Sequence, residues 1–168
     1  MRKLLPFLSL ILISCVPSQT QEISSFDDCA AAGNPVMESY PMQCRTSDGR
    51  TFVQDIGNEL EKTDLIRVDN PRPGGTIDPS TVIQGEARGT WFFEGDFPVV
   101  IEDADGNVLH QTYATAQDDW MTEDFVQSTA SLEKADFGDA EAGTLVLKRD
   151  NPSGLPENDD ELRVPVKF

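Results

Sequence analysis

Beyond residue 64 the apolar positions fall in short runs broken by clusters of Gly, Pro, Asp and Asn. The runs are "LIRV" (65–68), "TVIQGEA" (81–87), "TWFF" (90–93), "FPVVIED" (97–103), "NVLHQTYAT" (107–115), "FVQSTASL" (125–132), "GTLVLKR" (143–149) and "ELRVPVKF" (161–168). Short runs rich in β-branched and aromatic residues, spaced about ten residues apart, predict seven or eight strands and an all-β sandwich. No long stretch places its apolar residues at helical spacing. Alternation is plain in one run: Val108, His110, Thr112 and Ala114 share one face, Leu109, Gln111, Tyr113 and Thr115 the other.

The N-terminus has a different pattern. Met1-Arg2-Lys3 is a short basic stretch, followed by "LLPFLSLILIS" (4–14), an apolar run of eleven residues. A membrane-spanning helix needs about 20, so the run reads as a secretory signal. It ends in Leu12-Ile13-Ser14-Cys15, which resembles the lipobox of bacterial lipoproteins. The resemblance implies cleavage after residue 14, lipidation of Cys15 and a membrane anchor on the extracytoplasmic side of a bacterial envelope. Val16, in place of an aspartate, points weakly to the outer membrane where there is one. Of the three cysteines, Cys15 is then used, and Cys29 and Cys44 remain as an even pair. An oxidising envelope favours a disulfide between them, closing a loop worth about 3 kcal/mol. The remaining reading, a two-thiolate metal site, lacks nearby ligands, because the sole histidine is His110.

Residues 15–25 read as a polar tether. Residues 26–57 read as a small disulfide-stapled module, with Asp27 the expected cap of a helical turn through Asp28–Ala32, ended by Gly33. "VMESY" (36–40) is strand-like, and Asp48-Gly49 marks a hairpin in which both turn residues take positive φ. The cysteine spacing and the Asp-Gly-Arg turn resemble a short module of bacterial envelope lipoproteins. Residues 58–64 read as a linker or short helix, and 65–168 as the sandwich.

Charge narrows the partners. Thirty acids against thirteen bases give −17, and loss of Arg2 and Lys3 takes this to near −19. Such a surface repels nucleic-acid phosphates, whose binding relies on Lys and Arg. It suits a soluble exported domain, or a cationic partner.

Several motifs resemble the immunoglobulin-like domain associated with bacterial spore germination, the second Gmad-type family. They are Gly85-Glu86-Ala87, Gly89, Trp91-Phe92-Phe93-Glu94, Phe97-Pro98-Val99, Asp105-Gly106, Asp119-Trp120-Met121, and "LKRDNPSGLPENDDELRVPVKF" at the end, with "IRVDNPRPGGTI" (66–77) as first strand and proline turn. The resemblance runs from Leu65 to Phe168 and implies an immunoglobulin-like sandwich outside the cytoplasm, without enzymatic activity.

The candidate chemistry is sparse. "DADGN" (103–107) partly mimics a calcium loop, with Asp103 and Asp105 as ligands, but lacks the glutamate at its twelfth position. Asp105-Gly106 is equally a hairpin turn, and no metal or other cofactor is expected. Glu94, Asp96, Glu102 and Asp103 offer carboxylate pairs, with Glu102 and Asp103 on opposite faces of one strand. His110 lies mid-strand without a nucleophile motif. Trp91, Phe93, Trp120 and Met121 form the candidate binding face. Candidate contact loops are Asn70–Asp78, Gly89–Asp96, Gln117–Asp124 and Asn151–Asp160. The expected function is a non-enzymatic, lipid-anchored envelope protein that binds an envelope protein or cell-wall glycan. The alternatives are a cell-wall hydrolase, and a protease-inhibitor-like loop around Glu38–Met42.

Overall fold

The computed structural model describes residues 22–168. The expected signal peptide, Cys15 and most of the expected tether lie outside the described residues.

Ten strands form two sheets. The first belongs to the N-terminal module: β1 (Val36–Met37), β2 (Gln43–Arg45) and β3 (Thr51–Val53) pair antiparallel in chain order. Helix α1 (Phe26–Ala31) packs on β2, to which the Cys29–Cys44 disulfide ties it. The cap of α1 is Ser25, not Asp27. The Ser25 hydroxyl accepts from the Asp28 amide and the Asp28 carboxylate accepts from the Ser25 amide, a reciprocal capping box. The same carboxylate also takes the Ser24 hydroxyl and amide, and these bonds hold its pKa below the usual carboxylate range.

After a one-turn helix α2 (Glu59–Lys62), the remaining strands build the second sheet: β4 (Ile66–Asn70), β5 (Val82–Arg88), β6 (Asp96–Asp103), β7 (Val108–Ala116), β8 (Phe125–Ser131), β9 (Ala142–Lys148) and β10 (Glu161–Lys167). Their spatial order is β10-β9-β6-β7-β8-β5-β4, antiparallel throughout. β7 and β8 share only the pairs Thr115↔Thr129 and Ala116↔Ser128. At that seam the sheet folds over into a four-stranded layer, β10-β9-β6-β7, facing a three-stranded layer, β8-β5-β4. The immunoglobulin-like sandwich expected from the strand count is what the chain forms.

The core follows the period of two along each strand. Ile66 and Val68 of β4, Ile83 and Ala87 of β5, and Val126 and Ala130 of β8 face Phe97, Val99 and Ile101 of β6, Leu145 and Leu147 of β9, and Leu162, Val164 and Val166 of β10. The alternation read in β7 holds at Ala114 and His110, which pair with the core residues Phe97 and Ile101. It fails at Val108, because a bulge beside Ile101–Glu102 shifts the register there.

"TWFF" is not a strand. Gly89–Trp91 forms a 3-10 turn, and Phe93 pairs with Asp96 across Glu94 and Gly95. Both central residues of that two-residue turn have positive φ, 53° and 89°, the geometry that matches strand twist. At Asp48-Gly49 and Asp105-Gly106, by contrast, only the glycine has positive φ. Those hairpins use a type I turn completed by a left-handed glycine.

The linker covers a sheet edge. β10 is an edge strand, and its outward backbone groups need partners. Asn58 acts as a short strand: its amide donates to the Arg163 carbonyl, its side-chain nitrogen donates to the Glu161 carbonyl, and its side-chain oxygen accepts from the Arg163 amide. Further along, the Gly74 amide donates to the Pro165 carbonyl, and Gly75 and Ile77 exchange bonds with Lys167. Pro165 needs no donor partner. Segment 70–78 is thus spent on the β10 edge.

Candidate functional site

Three loops meet at the end of the sandwich where β5 and β7 finish and β6 begins. They are 89–95, 117–124 and the start of the loop after β9. The Gly89 amide donates to the Asp124 carbonyl, and the Asp150 amide donates to the Trp91 carbonyl. Arg149 donates from Nε to the Thr90 carbonyl, 3.1 Å away. Loop 70–78, also expected among the contact loops, lies at the β10 edge instead.

Of the four residues expected on a binding face, Trp120 and Met121 share one hollow with Gly89, Thr90 and Phe92, and Phe93 lies on the adjoining loop 89–95. Phe93 is 41% exposed and Met121 77% exposed, while Trp120 is half-buried against the rim of the core. Gly95 lies under the Trp120 indole, since a Cβ there would sit 3.4 Å from the ring. Trp91 does not belong to the face. It is 1% exposed, within the core cluster. The reason is the 3-10 turn: a strand would send Trp91 and Phe92 to opposite sides, but the turn sends both inward. Phe92 then meets the Phe97 ring edge-on at 5.1 Å. No periodicity in the sequence marks that turn.

Gly89 fixes the spacing of the loops. A Cβ at this position would lie 2.0 Å from the Thr122 carbonyl oxygen and 2.2 Å from that of Trp120. Replacing Gly89 by alanine therefore pushes loop 117–124 off the end face. The expected loss is about 1–3 kcal/mol of stability by chemical denaturation, together with a shift in Trp120 fluorescence. Unchanged fluorescence would show that the two loops do not touch.

The face is rimmed by Glu94, Asp118, Asp119, Glu123 and Asp124. An apolar surface with an acidic rim suits a ligand carrying positive charge or many hydroxyl donors.

The other candidate chemistries do not assemble. The Asp103 carboxylate is used within its own hairpin, accepting from the Asp105 and Asn107 amides and the Asn107 side chain. The Asn107 bonds are the main reason its pKa falls below the usual carboxylate range. Glu102 is turned to Arg163, 2.5 Å away. Glu94 and Asp96 lie at the opposite end of the eight-residue β6, roughly 20 Å from Glu102 and Asp103 at 3.3 Å per residue. Those two pairs of acids cannot work on one bond. His110 faces inward beside Ile101, its buried Nε2 without a partner. Among the described residues, no three His, Cys, Asp or Glu side chains gather as a metal site would need.

A polar clasp, not marked in the sequence, joins module and sandwich. The Tyr40 hydroxyl donates to the buried Glu59 carboxylate. Arg72 pairs with Glu59 at 2.8 Å, donates to the Tyr40 oxygen at 2.8 Å, and stacks over the Tyr40 ring. Burial first, then the hydrogen bond and charge of Glu59, push the Tyr40 hydroxyl pKa up to about 12. The loop Glu38–Met42 thus presents its aromatic tip to the sandwich.

The chain matches the family model described as the immunoglobulin-like domain of bacterial spore germination, Gmad2, over residues 65–154. No curated protein and no solved structure matches it. The matched segment opens at the first strand of the sandwich, takes in Phe93, Trp120 and Met121, and ends at Gly154, before β10 completes the four-stranded layer. It covers more than half of the chain, which therefore belongs to the family of immunoglobulin-like domains of bacterial spore germination.

Proposed function

We propose that this protein is a lipid-anchored envelope protein whose sandwich end binds a partner through Phe93, Trp120 and Met121. Membership of the family supports a binding or structural role without catalysis. The observation that carries the finer reading is that three meeting loops carry an exposed phenylalanine, an exposed methionine and several acids. Exposed apolar side chains clustered at a loop-built end mark an interaction site more often than a catalytic one. The anchor follows from the lipobox-like Leu12–Cys15, and residues 15–25 would hold the sandwich away from the bilayer. The partner is an envelope protein or a cell-wall glycan.

Two measurements test this. A photo-reactive group at position 121 of the full chain, in membranes, is expected to capture one discrete partner or wall fragment, and the same group at Val82 to capture none. Phe93→Ser with Met121→Ser is expected to lower binding to purified wall sacculi or to the captured partner at least about tenfold, with the fold unchanged. Equal labelling from both positions would sink the end-face reading. Cys15→Ser is expected to move the protein out of the membrane fraction, and retention there would sink the anchor.

A further inference from the structure

The two layers leave four strand edges, and three of them are covered or blunted. β10 is covered by Asn58 and segment 74–77. β4 carries Arg67 and Asp69, has a bulge between Val68 and Asn70, and its Val68 carbonyl accepts from Arg72. β8 is held to the four-stranded layer through Ser128 and Thr129, and the Gln127 carbonyl accepts from Gln117. The fourth edge is β7 over residues 108–114. It pairs with β6 on one side, and among the described residues no strand pairs with it on the other.

The direction of its free groups follows from one bond. The Ala116 amide donates to the Gly95 carbonyl, toward β6. Backbone groups alternate sides along a strand, so His110, Thr112 and Ala114 also bond toward β6. The amides and carbonyls of Gln111 and Tyr113 then point outward, two groups on each of two residues, and the alternation stops at Leu109, the extra residue of the bulge beside Ile101–Glu102. Edges left open are usually defended by charge, proline or a bulge. Residues 110–116 contain no charged residue and no proline, and the one bulge of β7 lies before them, at Leu109. Val108 is 60% exposed and Tyr113 53% exposed.

We infer that the β7 edge is a strand-addition site for an extended segment of a partner protein, uncharged in the middle and basic at its ends. Charge decides the occupant. The neutral strip is flanked by Asp103 and Asp105 before it and by Asp118 and Asp119 after it. A second copy paired about a two-fold axis would set its Asp103–Asp105 loop against Asp118 and Asp119, like charge on like. On a chain of net charge −17 that arrangement is opposed. A segment with lysine or arginine at both ends meets acid at both ends instead. The added strand takes its bonds from Gln111 and Tyr113, and its side chains on one face lie beside Tyr113. This surface is separate from the loop end, and the inference stands without it.

The probe is a synthetic peptide, Lys-Lys-Thr-Val-Thr-Tyr-Thr-Val-Thr-Lys-Lys, added to the full chain, with amide hydrogen exchange as the readout. In the free chain the amides of Gln111 and Tyr113 are expected to exchange at least about a hundredfold faster than those of His110, Thr112 and Ala114. The peptide is expected to slow the first two at least about tenfold, while the version with glutamate ends, or with alternate amides methylated, leaves them unchanged. Gln111→Pro removes one outward donor and is expected to abolish the effect, whereas Met121→Ser preserves it. If the proline variant does not fold, the methylated peptide decides. The inference is overturned if the lysine peptide slows neither of the two, if both charge versions act alike, or if the two are already slow and slow further as protein concentration rises, which is the mark of a second copy.

Discussion

Replacing Trp91 by alanine is expected to remove about 3–5 kcal/mol of stability, the range for large aromatic side chains lost from a core. For a domain of this size that is a fall in Tm of roughly 10 °C or more. The indole sits among the core residues at 1% exposure, beside the edge-on pair Phe92 and Phe97. The backbone holds it there: the Trp91 carbonyl accepts from the Asp150 amide, and Gly89 lets the preceding turn close. The comparison with Phe93 makes the result diagnostic. Phe93 is two residues away and 41% exposed, so Phe93→Ser is expected to change stability by no more than about 0.5 kcal/mol. Trp91→Phe adds a further discrimination. It leaves most of the volume in place and deletes the indole N–H, which is buried without a partner. An unsatisfied buried donor costs about 1–3 kcal/mol, and its removal offsets part of the lost packing. Trp91→Phe is therefore expected to lie much closer to the parent than Trp91→Ala. A loss below about 1 kcal/mol for Trp91→Ala would place the indole outside the core and return it to the binding face.

The Trp91 result also marks where the sequence stops being legible. The strands themselves are readable, because alternation and turn residues report local backbone state. "FPVVIED", "NVLHQTYAT", "FVQSTASL", "GTLVLKR" and "ELRVPVKF" each become β6 through β10 with small boundary shifts. The Cys29–Cys44 pairing is readable once the lipobox-like Leu12–Cys15 sets Cys15 aside and leaves an even pair. "TWFF" misleads because aromatic residues favour strands, while the tertiary contact of Gly89 with the Trp120 and Thr122 carbonyls demands a turn. Nothing local to residues 90–93 records that contact. The same limit hides Asn58, whose side chain serves β10 from more than a hundred residues away. It hides the clasp of Tyr40, Glu59 and Arg72, which come from three different segments. Of the binding face, Phe93, Trp120 and Met121 were readable as apolar residues set among acids. That three loops converge there and the fourth serves an edge was not, since loop placement depends on how the layers fold over at Thr115 and Ala116.

Replacing Cys29 and Cys44 together by alanine is expected to unfold the N-terminal module while the sandwich stays folded. The module has almost no core of its own. Over residues 26–57 the buried side chains are the two cysteines, Thr46 and Ile56, so the disulfide occupies most of its interior. A unit of about 30 residues needs such a staple. Closing a loop with a sequence separation of 15 is worth about 3 kcal/mol, which α1, six residues long, and strands of two or three residues cannot replace. The sandwich has its own core and its own register, and the β10 edge is covered by Asn58 and segment 74–77 from outside the module. The expected result is rapid amide exchange and proteolysis across 26–57, with protection retained in β4 through β10. Loss of the module also opens the clasp and withdraws the Tyr40 hydroxyl from Glu59. Glu59 keeps Arg72, 2.8 Å away, so α2 is expected to stay in place. Had the module been an integral part of the sandwich, its loss would unfold both regions at one denaturant midpoint. Two separate midpoints, the lower abolished in the double variant, are the outcome this architecture requires.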